Sequence, residues 1–280
     1  MFFQQLKNEL TKLFGKRRTF MGFVILLVAQ ALIVGLLRFA PAAHAAFNRS
    51  LENSGLNGAH YVSMLTVATL MVLLLAYSLL PLFVALVGGD LVGKEVEDGT
   101  LRMVLARPVS RGRLLLVKWL AGVVFCALLV TALGMGGLIF SSACFPVNGG
   151  LFAQLPEQPS SVLECSVGLP RFAVAHLFML TKAVTILSLS LMFSCCNLKP
   201  AAASILALSL VTIDRILMEM PFFHDYKIYF LGHYLNCWQL LFLDPIPWWQ
   251  IGQAVSLLAG LSMTFVIIGA FIFQIRDLKS

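Results

Sequence analysis

Only 12% of the 280 residues are Asp, Glu, Lys or Arg, while 59% are hydrophobic, so the side chains able to do chemistry form a short roster. They gather in two places. The first carries three acids, Glu95, Glu97 and Asp98, then Gly99, Thr100 and Leu101, then the bases Arg102, Arg107, Arg111 and Arg113. The second is Lys182, Asp214 and Arg215, which interrupt long apolar runs. Ionised groups in such runs are costly and usually face a bundle interior or an aqueous path, so these three are candidates for substrate contact or for a structural pair. Neither group resembles a hydrolytic or acid–base centre. The chain has no Gly-x-Ser-x-Gly, no His-Glu-x-x-His and no carboxylate pair placed for proton transfer, and no enzyme activity is expected of it.

One motif is misleading. Gly88 to Lys94 satisfies the Gly-x-x-x-x-Gly-Lys part of a phosphate-binding loop, but Glu95 stands where a Ser or Thr would hold magnesium. An apolar spanning run precedes it in place of a strand, so no nucleotide or other cofactor is expected here. Six scattered cysteines and five histidines without His-x-x-x-His spacing give no metal site. A disulfide among Cys144, Cys165 and Cys237 would leave one of the three free. Asn48-Arg49-Ser50 matches a glycosylation sequon, a pattern that arises often by chance.

The elements that must position these residues are membrane spans. Apolar runs cover Phe20 to Ala40, Tyr61 to Val87, Leu114 to Phe140, Phe172 to Ser194, Ala201 to Met218 and Ile251 to Phe273, each near the ~20 residues that cross hydrocarbon as a helix. The mean hydropathy of +0.90 excludes a water-soluble globule. The expected fold is all-α: one polytopic domain over 1–280 with six transmembrane helices. Residues 1–19 form an amphipathic helix lying in the interface, 88–113 a cytoplasmic loop, and 221–249 an aromatic outer segment of interfacial or re-entrant helices. Pro41 to His60 and Ser141 to Pro170 read as outer loops.

Six alternating spans place fourteen Lys and Arg on the side of the termini and four on the other. The positive-inside rule makes that side cytoplasmic, and the charge of +7 becomes an orientation signal rather than a nucleic-acid surface. In depth, Lys182 and Asp214 fall near enough to pair, counting about 1.5 Å per residue.

Within the loop, Gly99 suits the position past a helix end, where φ is often positive, and Thr100 suits the cap of a following helix. Pro108 interrupts again and Ser110 caps the third span. The product is a short helix, Leu101 to Ala106, with exposed acids on one approach and bases on the other. Glu97-Asp98-Gly99-Thr100-Leu101, then Ala106-Arg107-Pro108-Val109-Ser110-Arg111 and Lys118, resembles the cytoplasmic signature of ABC-2 type permeases, the membrane subunits of one class of ATP-binding cassette exporters. The basic amphipathic segment 1–19 resembles that family's elbow helix, and Phe273-Gln274-Ile275-Arg276-Asp277-Leu278 resembles its usual ending.

The resemblance implies a coupling helix over Glu95 to Arg107 and a second permease copy, identical or related. It also implies a cytoplasmic ABC ATPase subunit that binds the ATP and magnesium, membrane lipid as surroundings, and residence in the cell membrane. It does not name the exported substrate. Two alternatives remain at this point: an ion-coupled secondary transporter using Lys182 and Asp214, and a non-transporting membrane assembly factor.

Overall fold

The computed structural model describes residues 2–53, 61–100, 110–155 and 160–275. Among the described residues, five helices are each long and apolar enough to cross a membrane, and two more, bent 42° at their junction, are together long and apolar enough to form a broken span or a re-entrant loop. The five are α2 (Arg17–Phe39), α6 (Arg111–Cys144), α7 (Cys165–Cys195), α8 (Pro200–Glu219) and α10 (Trp248–Ile275), and the broken pair is α4 (Met64–Tyr77) with α5 (Leu79–Glu97). The break has a local cause. Pro81 lacks an amide proton and its ring crowds the carbonyl four residues back, that of Tyr77, so the helix cannot continue through Ser78.

Small and polar residues lie among the large apolar ones inside the bundle, and large apolar residues also face outward. On α2 the buried stripe is Thr19, Gly22, Leu26, Gln30, Val34 and Leu37, whereas Phe20, Val24, Val28, Leu32 and Leu36 are exposed. On α10 the buried stripe is Ile251, Ala254, Leu258, Ser262, Gly269 and Phe273. Lipid tails satisfy the exposed apolar faces, and helix association then depends on close approach and hydrogen bonds between helices.

Helix α7 is the centre of the bundle, touching α5, α6, α8 and α10. Its serines reach across to α5: Ser190 Oγ donates to Ala85 O at 2.7 Å, and Ser194 Oγ donates to Gly89 O while accepting from Gly93 N, each at 2.7 Å. A side chain on Gly88 would sit 2.8 Å from Ser190 Cβ and 3.0 Å from Leu187 O. The glycines of the apparent phosphate-binding loop thus lie inside helix α5 and serve helix packing.

At the end that holds both described chain ends, α1 (Phe2–Gly15) precedes α2 and packs on α6. The turn between them is made by Lys16 in extended conformation, and the Thr19 hydroxyl donates to Leu13 O at 2.7 Å. At the opposite end the expected loops hold structure. Helix α3 (Pro41–Asn53) starts on a proline, favoured at a first helical position. Strands β1 (Leu151–Ala153) and β2 (Ser161–Leu163) pair antiparallel, with Leu151 opposite Leu163. Ser63 ties this hairpin to α4 by capping Thr66 N and donating to Gly150 O at 2.6 Å. Helix α7 begins at Cys165, so Pro170 lies within it.

Beyond α8 the aromatic segment is a series of short helices. A 3₁₀ stretch covers Pro221–Tyr229, α9 covers Leu231–Leu235, and a second 3₁₀ stretch covers Cys237–Phe242. No disulfide joins Cys144, Cys165 and Cys237 in this structure.

Candidate functional site

The acidic end of α5 divides into an inward and an outward half. Glu95 was expected among the exposed acids; it faces inward instead, because Lys118 of α6 is buried directly beside it. The Lys118 ammonium, 1% exposed, lies 2.7 Å from Glu95 and 2.9 Å from Glu9 of α1. Lys12 reaches Glu9 at 3.0 Å and Glu95 at 3.4 Å. Two acids and two bases thereby tie three separate elements at one point. Burial alone would raise the Glu9 carboxyl, but the adjoining Lys118 and then Lys12 outweigh it and hold Glu9 below its ordinary range. Burial would likewise lower the Lys12 ammonium, and Glu9 and Glu95 outweigh it, raising Lys12.

The outward half lies on the last turn of α5. Glu97 and Asp98 are about half exposed, and Lys94 contacts them at 2.8 and 3.2 Å on the helix surface. Gly99 ends the helix with φ of +68°, the left-handed conformation its position called for, and its amide donates to Val96 O at 3.1 Å. The Thr100 hydroxyl donates back to Glu95 O at 3.3 Å. Leu101, Arg102, Arg107 and the expected short helix Leu101 to Ala106 lie outside the described residues. Ser110 occupies the N-cap of α6 without a side-chain capping bond. Just beyond it, Arg111 donates to Phe273 O and Gln274 O at 3.2 and 3.0 Å, closing the last turn of α10.

The second group sits where α4 breaks. Lys182 of α7 and Asp214 of α8 do not form the expected pair with each other. The Lys182 ammonium donates to Asn236 Oδ1 at 3.3 Å and lies 4.6 Å from the Tyr77 ring centroid. Asp214 turns toward α9 and accepts the backbone amides of Leu231 and Gly232 at 2.9 and 2.5 Å, satisfying orphan donors of that helix start. Arg215 stacks 3.9 Å from the same Tyr77 centroid and pairs with Glu219 at 3.1 Å. Two cations therefore share one aromatic ring, and the ring is fixed by Gln239, whose amide donates to the Tyr77 hydroxyl at 2.7 Å.

A family model described as ABC-2 family transporter protein matches residues 6–225, which include both charged groups. The chain belongs to this family. It is thus a multi-pass membrane protein and a transporter component of the ABC-2 permease type. No curated protein matched the chain.

Three residues of these sites in the permease were missed by reading the sequence, and Lys118 was read only as part of the cytoplasmic signature. Glu9 had a weak signal, as the lone acid among the lysines of an amphipathic segment. Lys118 had one too: it follows Leu114 to Val117 into an apolar run, where a cation needs a partner. Tyr77 and Asn236 had none, because their role depends on a helix break and on the return of the segment after α8.

Proposed function

We propose that this permease is the membrane half of an ABC exporter and works as a pair of copies, each docked on a separate cytoplasmic ATPase that holds ATP and magnesium. In this reading both termini are cytoplasmic, the membrane is the cell's inner or plasma membrane, and α1 is the elbow helix in its interface. The segment from Glu95 to Arg107 is the coupling element, with Glu97 and Asp98 toward the ATPase and Arg102 and Arg107 on the far approach.

The observation that carries the reading is the division at the end of α5. Its exposed acidic turn offers a charged docking surface, while Glu95, two residues before Glu97, is joined through Lys118 to α1 and α6. A displacement of the loop therefore moves three elements as one body, which is what transmission of ATPase closure to the spans requires. Family membership does not favour the ion-coupled alternative, and the separate partners of Lys182 and Asp214 do not support it either.

Reversing one exposed charge tests this. Tagged permease purified from its native host should bring down an ATP-hydrolysing subunit, and Glu97→Arg should lose that subunit or its stimulated hydrolysis while the permease remains monodisperse. Recovery of intact permease without any ATPase, or full activity in Glu97→Arg, would overturn the coupling assignment.

A further inference from the structure

We propose that the cavity at the α4–α5 break binds the acidic head group, carboxylate or phosphate, of an amphipathic molecule whose apolar part lies along α8. This deepens the transport reading by naming a substrate class, and it rests on that reading only for the word substrate. The cavity has a volume of about 90 Å³, lined by Tyr77, Pro81, Lys182, Thr212, Arg215 and Asn236 among others. A single water needs only ~10–15 Å³ of such space. A head group therefore fits, and a whole lipid does not.

Charge selects the ligand. The two charged side chains that line the cavity, Lys182 and Arg215, are cations, and no carboxylate is among the described residues that line it. The nearby acids are committed elsewhere: Asp214 caps α9, and Glu219 sits on an exposed face against Arg215 Nε. Arg215 has five N–H donors, and that pair engages the Nε one. Its planar fork suits a carboxylate or phosphate, and the Tyr77 face beneath it holds the guanidinium in place.

Position selects the rest of the molecule. Lys182 is buried in the middle of a span, so the site lies at membrane depth, and a spanning helix is interrupted beside it. Broken helices at that depth are tolerated where they line a cavity, and they commonly form binding sites in transporters. On α8 the rim residue Thr212 is exposed between Ile205 and Ile216, both exposed and one to two turns away on the same face. An acyl chain leaving the cavity would follow that stripe.

The test uses the purified permease without ATPase in a neutral maltoside detergent. Dodecyl phosphate is titrated by microscale thermophoresis, with inorganic phosphate and a dodecyl trimethylammonium salt as separate arms. Saturable binding of dodecyl phosphate alone is expected, weakened about tenfold or more in Arg215→Gln and in Lys182→Gln, the effect of one charge-assisted hydrogen bond. Arg215→Lys should bind better than Arg215→Gln.

Unchanged affinity in Arg215→Gln would overturn the site, and because that side chain is partly exposed the variant decides the matter even if Lys182→Gln fails to fold. Equal affinity for inorganic phosphate would overturn the amphipathic assignment. Binding of the cationic detergent at the same strength would overturn the charge argument. A failure here leaves the pull-down result standing, and loss of the ATPase leaves this binding intact.

Discussion

Replacing Lys118 by Met should unlock α1 from the acidic end of α5. The substitution removes the ammonium that lies 2.9 Å from Glu9 and 2.7 Å from Glu95 and leaves two carboxylates whose side chains are only 12% and 13% exposed. Removing one partner of a buried pair costs about 3–5 kcal/mol, because the other charge is stranded. Lys12 remains within reach of both acids, but its side chain is 51% exposed, and a pair that open to water contributes about 1 kcal/mol at most. The net loss is then about 2–4 kcal/mol, which lowers a thermal midpoint by on the order of 10 °C.

The assay is thermal unfolding of detergent-purified protein, run as a double-mutant cycle with Glu9→Gln. Neutralising Glu9 should hurt the wild type but be neutral or favourable once Lys118 is gone, giving a coupling energy of about 1–3 kcal/mol. Lys94→Met, which breaks only surface pairs with Glu97 and Asp98, should leave the midpoint unmoved. A Lys118→Met midpoint within about 2 °C of wild type, or strictly additive effects in the cycle, would refute the cage as a structural joint.

The same cage sets a pH window. Glu9 titrates below its unfolded value, so its contribution is present above pH ~4.5 and lost as pH falls through the lowered folded value. Lys12 titrates above its unfolded value, so its contribution is present below pH ~10.5 and lost as pH rises through the raised one. Protease protection of α1 should therefore be flat from about pH 5 to 10 and fall on either side. Gly99→Pro should uncouple the ATPase without unfolding the bundle, since proline can adopt neither φ of +68° nor the amide bond to Val96 O. Stimulated hydrolysis measured with the partner checks this, and wild-type stimulation in that variant would show that the helix end is not part of the lever.

The elements visible in the sequence were those set by one-dimensional signals. Six apolar runs marked the spans, and Gly99 marked the end of α5, because run length and left-handed glycine geometry are local properties. Helix α3 and the β1–β2 hairpin were not visible: the first is a polar, alanine-rich stretch between spans, and each strand has three residues, too few to set a period. Pro81 was available as a signal, since a proline inside a spanning run predicts a kink, yet hydropathy alone ran straight through it. The partners of the charged residues were hidden for a different reason. Depth counting places Lys182 near Asp214 along the membrane normal and is blind to rotation about each helix axis, and rotation turns Asp214 toward α9 and Lys182 toward Asn236.

The break at Ser78 gives the two charged groups a common mechanical element. Helix α5 is held at its lower end by the Lys118 cage and along its length by Ser190 and Ser194 of α7, so it moves as part of a packed unit rather than by bending. Its upper end is the proline-induced break, where a missing backbone bond makes rotation least costly. Tyr77, which carries both Lys182 and Arg215 on its ring, is the residue immediately above that break. Under the proposed coupling, a push on Glu97 is therefore expressed at the pivot as a change in the angle between α5 and Tyr77. Because both cations are seated on one ring, a rotation of that ring alters both sides of the head-group cavity together. Occupancy of the cavity and the position of the acidic turn of α5 then bias a single two-state element, the relation allosteric coupling requires. Dodecyl phosphate bound in the cavity at Tyr77 should accordingly change the ATPase rate in the assembled complex, and should fail to do so when Lys118→Met frees the lower end of α5.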